Sequence, residues 1–327
     1  DAKTLSQEQL RALCLRTLNQ ENIPVPEKAS PPHDAPQALT VSDVRYTYGG
    51  KDRAILSGMS FSVREHEIVG LVGANGCGKT TIGKVIAGLY RPSGGRIALF
   101  GKAQKPKQLQ KKILFIMQEA EFQFFTNSVL NELQYGHTIT PEFEKRTEEI
   151  LKNMGMWECR DRHPFSLSGG QMQKLTLMMA YLSDKPIVVL DEPTAGQDAE
   201  SLARCAALIR KMRKEKTVLI ITHDLELIAG ACDRCIGLAD GRAETEFSVR
   251  SVRELQAVRQ YMERFYPAAI PPKKKHRELF HPVTKLIFWL ALLVVISTSD
   301  NHLVYAAYTA LILLTAVDGW LGTALAG

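Results

Sequence analysis

The chain has 327 residues, 45% of them apolar and 23% charged, with a net charge of +6. These values allow one large folded domain or two ordinary ones and exclude a disordered or low-complexity chain. The basic residues are scattered apart from Lys273, Lys274, Lys275 and Arg277, and no aromatics interleave with them, so no nucleic-acid partner is expected.

Residues 3–20 read as a short amphipathic helix, with Leu10, Leu13, Cys14 and Leu18 on one side. Pro24, Pro26, Pro31, Pro32 and Pro36 then crowd a dozen residues, too densely for helix or central strand. The stretch 1–38 is therefore a helix without a domain of its own, followed by a linker. The chain opens on Asp1 and is read as a segment of a longer polypeptide.

A folded domain is expected over 39–244. Strand-like runs cover 39–46, 67–72, 187–190, 217–221 and 234–239. Helix-like runs cover 79–89, 141–154, 169–182 and 198–213. Apolar strands alternating with helices predict an α/β fold with a mostly parallel sheet covered on both faces. The helix-rich stretch 118–183 interrupts that alternation and reads as an inserted subdomain. Residues 245–280 read as an extension and basic linker. From 281 to 327 the chain is expected to begin a transmembrane domain, with apolar helices over 286–296 and 303–317 joined by Ser299, Asp300, Asn301 and His302. The basic run before them would then lie on the cytoplasmic side. The alternative is a pair of buried helices in a soluble domain.

Six cysteines, at 14, 77, 159, 205, 232 and 235, show no framework spacing and point to a reduced cytoplasmic compartment. Cys232 and Cys235 lack a second pair to complete a zinc site. They read as small semi-buried side chains where a helix passes into a strand.

The strongest chemical signal is Gly73-Ala74-Asn75-Gly76-Cys77-Gly78-Lys79-Thr80, directly after an apolar strand and opening a helix. Glycines there let backbone amides turn toward phosphates, and the helix N-terminus adds partial positive charge. Lys79 would place a point charge on the β and γ phosphates, and Thr80 a hydroxyl on Mg²⁺. Asp191 and Glu192 end the run 187–190, where Asp191 would hold Mg²⁺ and Glu192 would polarise the attacking water as general base. Gln118 follows the strand-like run 113–117, and His223 closes the strand 217–222. Leu167-Ser168-Gly169-Gly170-Gln171 opens a long helix, so its amides and Ser168 could cap a phosphate.

In this order the motifs resemble the ATP-binding-cassette (ABC) family over about 39–244. The resemblance implies a P-loop NTPase fold with an inserted helical subdomain, an ATP-hydrolysing activity, and ATP and Mg²⁺ as ligands. Glu192, His223 and Gln118 would be catalytic, the last as the Q-loop glutamine. Tyr48 would stack on adenine. Gly73, Asn75, Gly76, Gly78, Lys79, Thr80 and Thr81 would bind the nucleotide. Ser168, Gly169, Gly170 and Gln171 match the signature and Asp198 the D-loop. Thr80, Gln118 and Asp191 would hold the metal. Three positions depart from the family pattern. Cys77 replaces a serine in a loop that works through its backbone, His66 a glycine before Glu67, and Gln197 a leucine before Asp198.

The run Glu121-Phe122-Gln123-Phe124-Phe125-Thr126 is similar to the Q-loop extension of ATPases from energy-coupling factor transporters, importers of vitamins or metal ions. It reads either as subdomain core or as an anchor for a membrane subunit. Phe280-His281-Pro282-Val283-Thr284-Lys285-Leu286 resembles the start of that system's transmembrane coupling subunit, and 5–18 the tail of a preceding ATPase domain. The implied partners are a second ABC ATPase domain, a transmembrane coupling subunit and a substrate-binding membrane subunit. The implied location is a prokaryotic cell membrane with the ATPase on its cytoplasmic face. The rival readings are a cassette of another importer or exporter, and a soluble non-transport ABC protein.

Overall fold

A computed structural model describes residues 23–26, 35–49 and 54–265. The chain divides into two units, Asp1–Pro267 and Ala268–Gly327, and every described residue belongs to the first. The amphipathic segment 3–20 and the two apolar stretches of the tail lie outside the described residues. Among the described residues no helix is long and apolar enough to cross a membrane.

The central sheet has six strands in the order β10-β9-β3-β8-β7-β6. These are β3 (Ile68–Gly73), β6 (Ile113–Ile116), β7 (Ile187–Asp191), β8 (Thr217–Ile221), β9 (Arg234–Ala239) and β10 (Arg242–Ser248). β3, β7 and β8 are buried at every position. A strand covered on both faces needs no polar alternation, which is why these read as unbroken apolar runs. The five strands from β9 to β6 are parallel. β10 pairs antiparallel with β9 through a two-residue turn, Asp240-Gly241, both at positive φ. Asp-Gly is the pair that such a hairpin turn selects.

A second, antiparallel sheet runs β2-β1-β4-β5, built from β1 (Gln37–Tyr46), β2 (Leu56–Arg64), β4 (Gly94–Leu99) and β5 (Lys102–Ala103). Only β1 was expected. One apolar cluster joins this sheet to the central one through Leu39, Leu56, Met59, Val69, Leu71 and Ile97. Helix α1 (Lys79–Ile86) lies against the central sheet, buried through Thr81, Ile82, Val85 and Ile86. Gly83 sits so close that a Cβ would stand 2.9 Å from both Ile221 and Phe115.

After α2 (Pro106–Lys112) and β6 come the helices of the inserted region: α3 (Val129–Gln134), α4 (Pro141–Asn153) and α5 (Gly169–Leu182). Thr140 caps α4 by accepting the Phe143 N–H, with Pro141 in the first turn. A second apolar cluster runs from these helices to the sheet. It also takes in α6 (Ala199–Met212), α7 (Leu225–Ala231) and α8 (Val252–Glu263).

His66 and the cysteine pair acquire reasons here. His66 stands at φ 59°, the left-handed region that glycine fills most easily, and its Nδ1 lies 3.0 Å from the Arg213 carbonyl oxygen. Cys232 and Cys235 are fully buried rather than half-buried. Their sulfurs crowd Gly70 of β3, where a Cβ would come within 2.8 Å of Cys235 Sγ and 3.3 Å of Cys232 Sγ.

Candidate active site

The parallel strands β3, β6, β7 and β8 end at one edge of the sheet, the place where open α/β sheets bind ligands. The chain leaves β3 at Gly73 and turns into α1. Gly73, Gly76 and Gly78 hold φ of 153°, 79° and 102°. At Gly73 a Cβ would also stand 2.2 Å from the Leu238 carbonyl oxygen, so the loop can lie against β9 only with glycine there. Lys79 Nζ donates to the Gly73 and Ala74 carbonyl oxygens at 2.8 Å each, which holds the ammonium at the mouth of the loop. Cys77 turns the other way, buried in the cluster between the sheets.

A cavity of about 300 Å³ opens above this loop. Its walls include Tyr48, Asn75, Gly76, Gly78, Lys79, Thr80, Thr81, Gln118, Asp191 and Glu192. Ten of the residues expected from sequence thus meet in one place, with Gly73 at the base of the loop beneath them. Tyr48 Oη lies 3.3 Å from Thr81 Oγ1, and its ring stands edge-on to Tyr46 and Tyr90 at 5.1 and 5.8 Å.

Burial pushes the Asp191 carboxyl up to about 6, only partly offset by a hydrogen bond from the Thr80 hydroxyl. A buried carboxylate beside a hydroxyl and the Gln118 amide is a setting that a divalent cation relieves. Among the described residues no three His, Cys, Asp or Glu side chains gather as a metal cluster. One carboxylate and one hydroxyl suit Mg²⁺, which keeps several waters and takes its other oxygens from substrate phosphates.

Glu192 stands at φ 48°, a left-handed conformation unusual for glutamate, and its N–H donates to the Ile221 carbonyl oxygen at 2.8 Å. His223 joins the site through this residue, with Nδ1 2.7 Å from Glu192 Oε1. That hydrogen bond raises the imidazole above its ordinary value, against the opposing effect of partial burial. The backbone of the residue before Gln118 is held by a side chain. Gln123 accepts the Met117 N–H at 3.2 Å and donates to its carbonyl at 3.3 Å. In the sequence Gln123 is only one member of an aromatic-rich run, and Thr222, whose hydroxyl lies 3.1 Å from Glu192 Oε2, belongs to no motif. The polar residue just before His223 was the available signal.

Seven expected residues are not in the cavity lining: Gly73 and His223 adjoin it, and Ser168, Gly169, Gly170, Gln171 and Asp198 form no part of it. Ser168 caps α5 by accepting the Gln171 N–H at 3.3 Å, while Gln171 Oε1 accepts the Ser168 N–H at 3.0 Å. Asp198 caps α6 by accepting the Ser201 N–H at 2.7 Å, and this bond chiefly draws its carboxyl below the ordinary range. Gln197 links the two motifs: its Nε2 donates to the Gly170 carbonyl oxygen at 2.8 Å.

Beside Gln118 lies an apolar groove of about 530 Å³, lined in part by Phe115, Met117, Phe122, Phe125, Leu133 and Tyr135. The aromatic run divides. Phe122 and Phe125 are 70% and 75% exposed, whereas Phe124 is 8% exposed and meets Phe165 edge-on at 6.3 Å. Phe124 therefore belongs to the core. Glu132 fixes the loop between them, because its Oε2 accepts the Phe125 and Thr126 N–H groups at 3.0 and 2.8 Å.

The ABC transporter family matches residues 56–195. YkoD of Bacillus subtilis, named for HMP/thiamine import, is 38% identical over 206 residues, 62% of this chain. The chain spans only 37% of YkoD's length. CbiO1 of Clostridium perfringens, part of an ABC transporter complex named cbiONQ, shares the fold with a TM-score of 0.59 at 27% identity. That match covers 72% of this chain and 96% of CbiO1. The energy-coupling factor transporter ATP-binding protein EcfA of Carboxydothermus hydrogenoformans is 31% identical over 228 residues, 67% of this chain and 84% of EcfA. So extensive a match, on the same fold and with the phosphate loop intact, places this chain in the ABC transporter family, among the cassettes that bind and hydrolyse ATP.

Proposed function

We propose that this cassette powers an energy-coupling factor-type importer of a micronutrient, a vitamin or a metal ion. A second cassette, a transmembrane coupling subunit and a substrate-binding membrane subunit would complete it, with this domain on the cytoplasmic face. The observation that carries the reading is the groove beside Gln118, with Phe122 and Phe125 exposed on it. Exposed aromatics are poorly solvated but bury large area at low entropic cost, which suits them to anchor a partner helix. The similarity to EcfA supports the same assignment.

In the proposed reaction ATP lies with its adenine on Tyr48 and its phosphates in the loop 73–80. Lys79 and the loop amides balance the charge that builds on the phosphates. Asp191, Thr80 and Gln118 would hold Mg²⁺, which when bound neutralises the β and γ oxygens. Water attacks the γ phosphorus, the bond to the β-bridging oxygen breaks, and Glu192 takes the water's proton. ADP and phosphate leave. The placement of Ser168 and Asp198 away from the cavity accords with a sandwich of two cassettes, each lending its signature to the other's ATP.

The test is double replacement of Phe122 and Phe125 by alanine. Assembly with the membrane subunit and uptake into vesicles should fall while the isolated cassette keeps its ATPase rate. Unchanged uptake would sink the proposal.

A further inference from the structure

Thr222 lies between β8 and His223 and is 1% exposed. Its hydroxyl has two neighbours. It accepts the Asp224 N–H at 3.0 Å, and it stands 3.1 Å from Glu192 Oε2. A hydroxyl carries a single proton, and an amide N–H can only donate. The proton of Thr222 is thus directed at the carboxylate. Glu192 receives its side-chain partners from two consecutive residues, one on each oxygen: Thr222 on Oε2 and His223 on Oε1.

The two partners differ in freedom. The His223 side chain is 68% exposed. Thr222 is enclosed, its own N–H directed at the Leu71 carbonyl oxygen at 3.4 Å and its hydroxyl already used by Asp224. The glutamate needs a fixed partner, because its backbone is in the left-handed region and its side chain reaches into an open cavity.

We infer that Thr222 is a positioning residue for hydrolysis: its hydroxyl holds Glu192 Oε2, so that Oε1 is the oxygen passed from His223 to the attacking water. The inference rests on the reading of Glu192 as general base. In this arrangement His223 turns toward the γ phosphate and releases Oε1. Thr222 keeps the carboxylate from following it.

Thr222→Val keeps the shape and removes the donor, whereas Thr222→Ser keeps the donor. With the full chain, Thr222→Val should lower kcat about tenfold or more, the scale of a lost hydrogen bond to a charged group. KM for ATP should stay close to that of the parent. The melting temperature should fall modestly because the Asp224 N–H loses this acceptor, and Thr222→Ser should restore both stability and kcat. Thr222→Ala repeats the test with a smaller side chain should valine disturb the fold. In a Glu192→Gln background, Thr222→Val should cost nothing further in single-turnover hydrolysis. Parental kcat in Thr222→Val beside a slow Glu192→Gln overturns this inference alone, and so does an equal loss in both backgrounds. A fast Glu192→Gln removes the base reading and the inference with it.

Discussion

His223 Nδ1 lies 2.7 Å from Glu192 Oε1, so the two groups expected to serve one γ phosphate hold each other. Glu192→Gln should keep this geometry and the binding of MgATP while hydrolysis falls on the order of 10²-fold or more, the contribution of a positioned base. Equilibrium binding beside steady-state turnover checks it. Near-parental turnover would move the role to His223.

Asp191 makes stability depend on pH. Its carboxyl titrates near 6 in the fold against an ordinary 3.8, chiefly because it is buried, so the fold favours the protonated form. That contribution is complete below the unfolded value and is lost as pH rises through the folded one. In metal-free protein Asp191→Asn should therefore raise the melting temperature at pH 8, by roughly 3 kcal/mol of stability. The gain should shrink at pH 5, and added Mg²⁺ should favour the parent. Equal melting temperatures for the two proteins at pH 8 would contradict the assignment.

The aromatic run offers an internal control. Phe124→Ala removes a buried ring and should cost about 3–5 kcal/mol, read as a clear fall in melting temperature. Phe122→Ala and Phe125→Ala should change stability by about 0.5 kcal/mol or less, as exposed substitutions do. Thermal denaturation of the three variants side by side decides it.

How much of this was legible in the sequence follows from how local each signal is. The phosphate loop is one contiguous stretch whose residue types are dictated by backbone shape, and β3, β7 and β8 are buried throughout and mostly apolar because both their faces are covered. Most of the antiparallel sheet escaped notice. Asp43 stands at φ 48°, and the register of β1 with β2 shifts on either side of Val44, so the two-residue alternation breaks where it would be read. Gly94 and Gly95 open β4 without side chains to show a face. α8 left a readable signature, a capping box of Ser251 and Glu254 followed by Leu255, Val258 and Met262 at helical spacing, but the basic linker after it drew the whole stretch into one reading. The partners of Glu192 come from the two residues just beyond β8, about 30 residues onward, and only the fold brings them together.

Gln197 replaces an apolar residue that the family usually has, yet it is 5% exposed and bonded to the Gly170 carbonyl oxygen. That carbonyl lies in the first turn of α5 and is also an acceptor for the helix's own ladder. Gln197→Leu should therefore cost no more than about 1 kcal/mol in stability. A larger loss in denaturant unfolding would mean that this one bond holds the two loops together.

The left-handed backbone at Glu192 has a consequence for how such a chain can change over generations. Adjacent residues of a regular strand point to opposite faces, yet Asp191 and Glu192 both line the cavity, and the turn at φ 48° ends the strand where they meet it. That conformation is one that asparagine and glycine adopt more easily than glutamate. The turn itself therefore makes no demand for an acid at this position. Glutamate codons become glutamine codons by a single base change, so a lineage can silence the chemistry and retain the nucleotide-gripping fold. In an assembly of two cassettes, one copy is free to become a sensor while the other remains the engine.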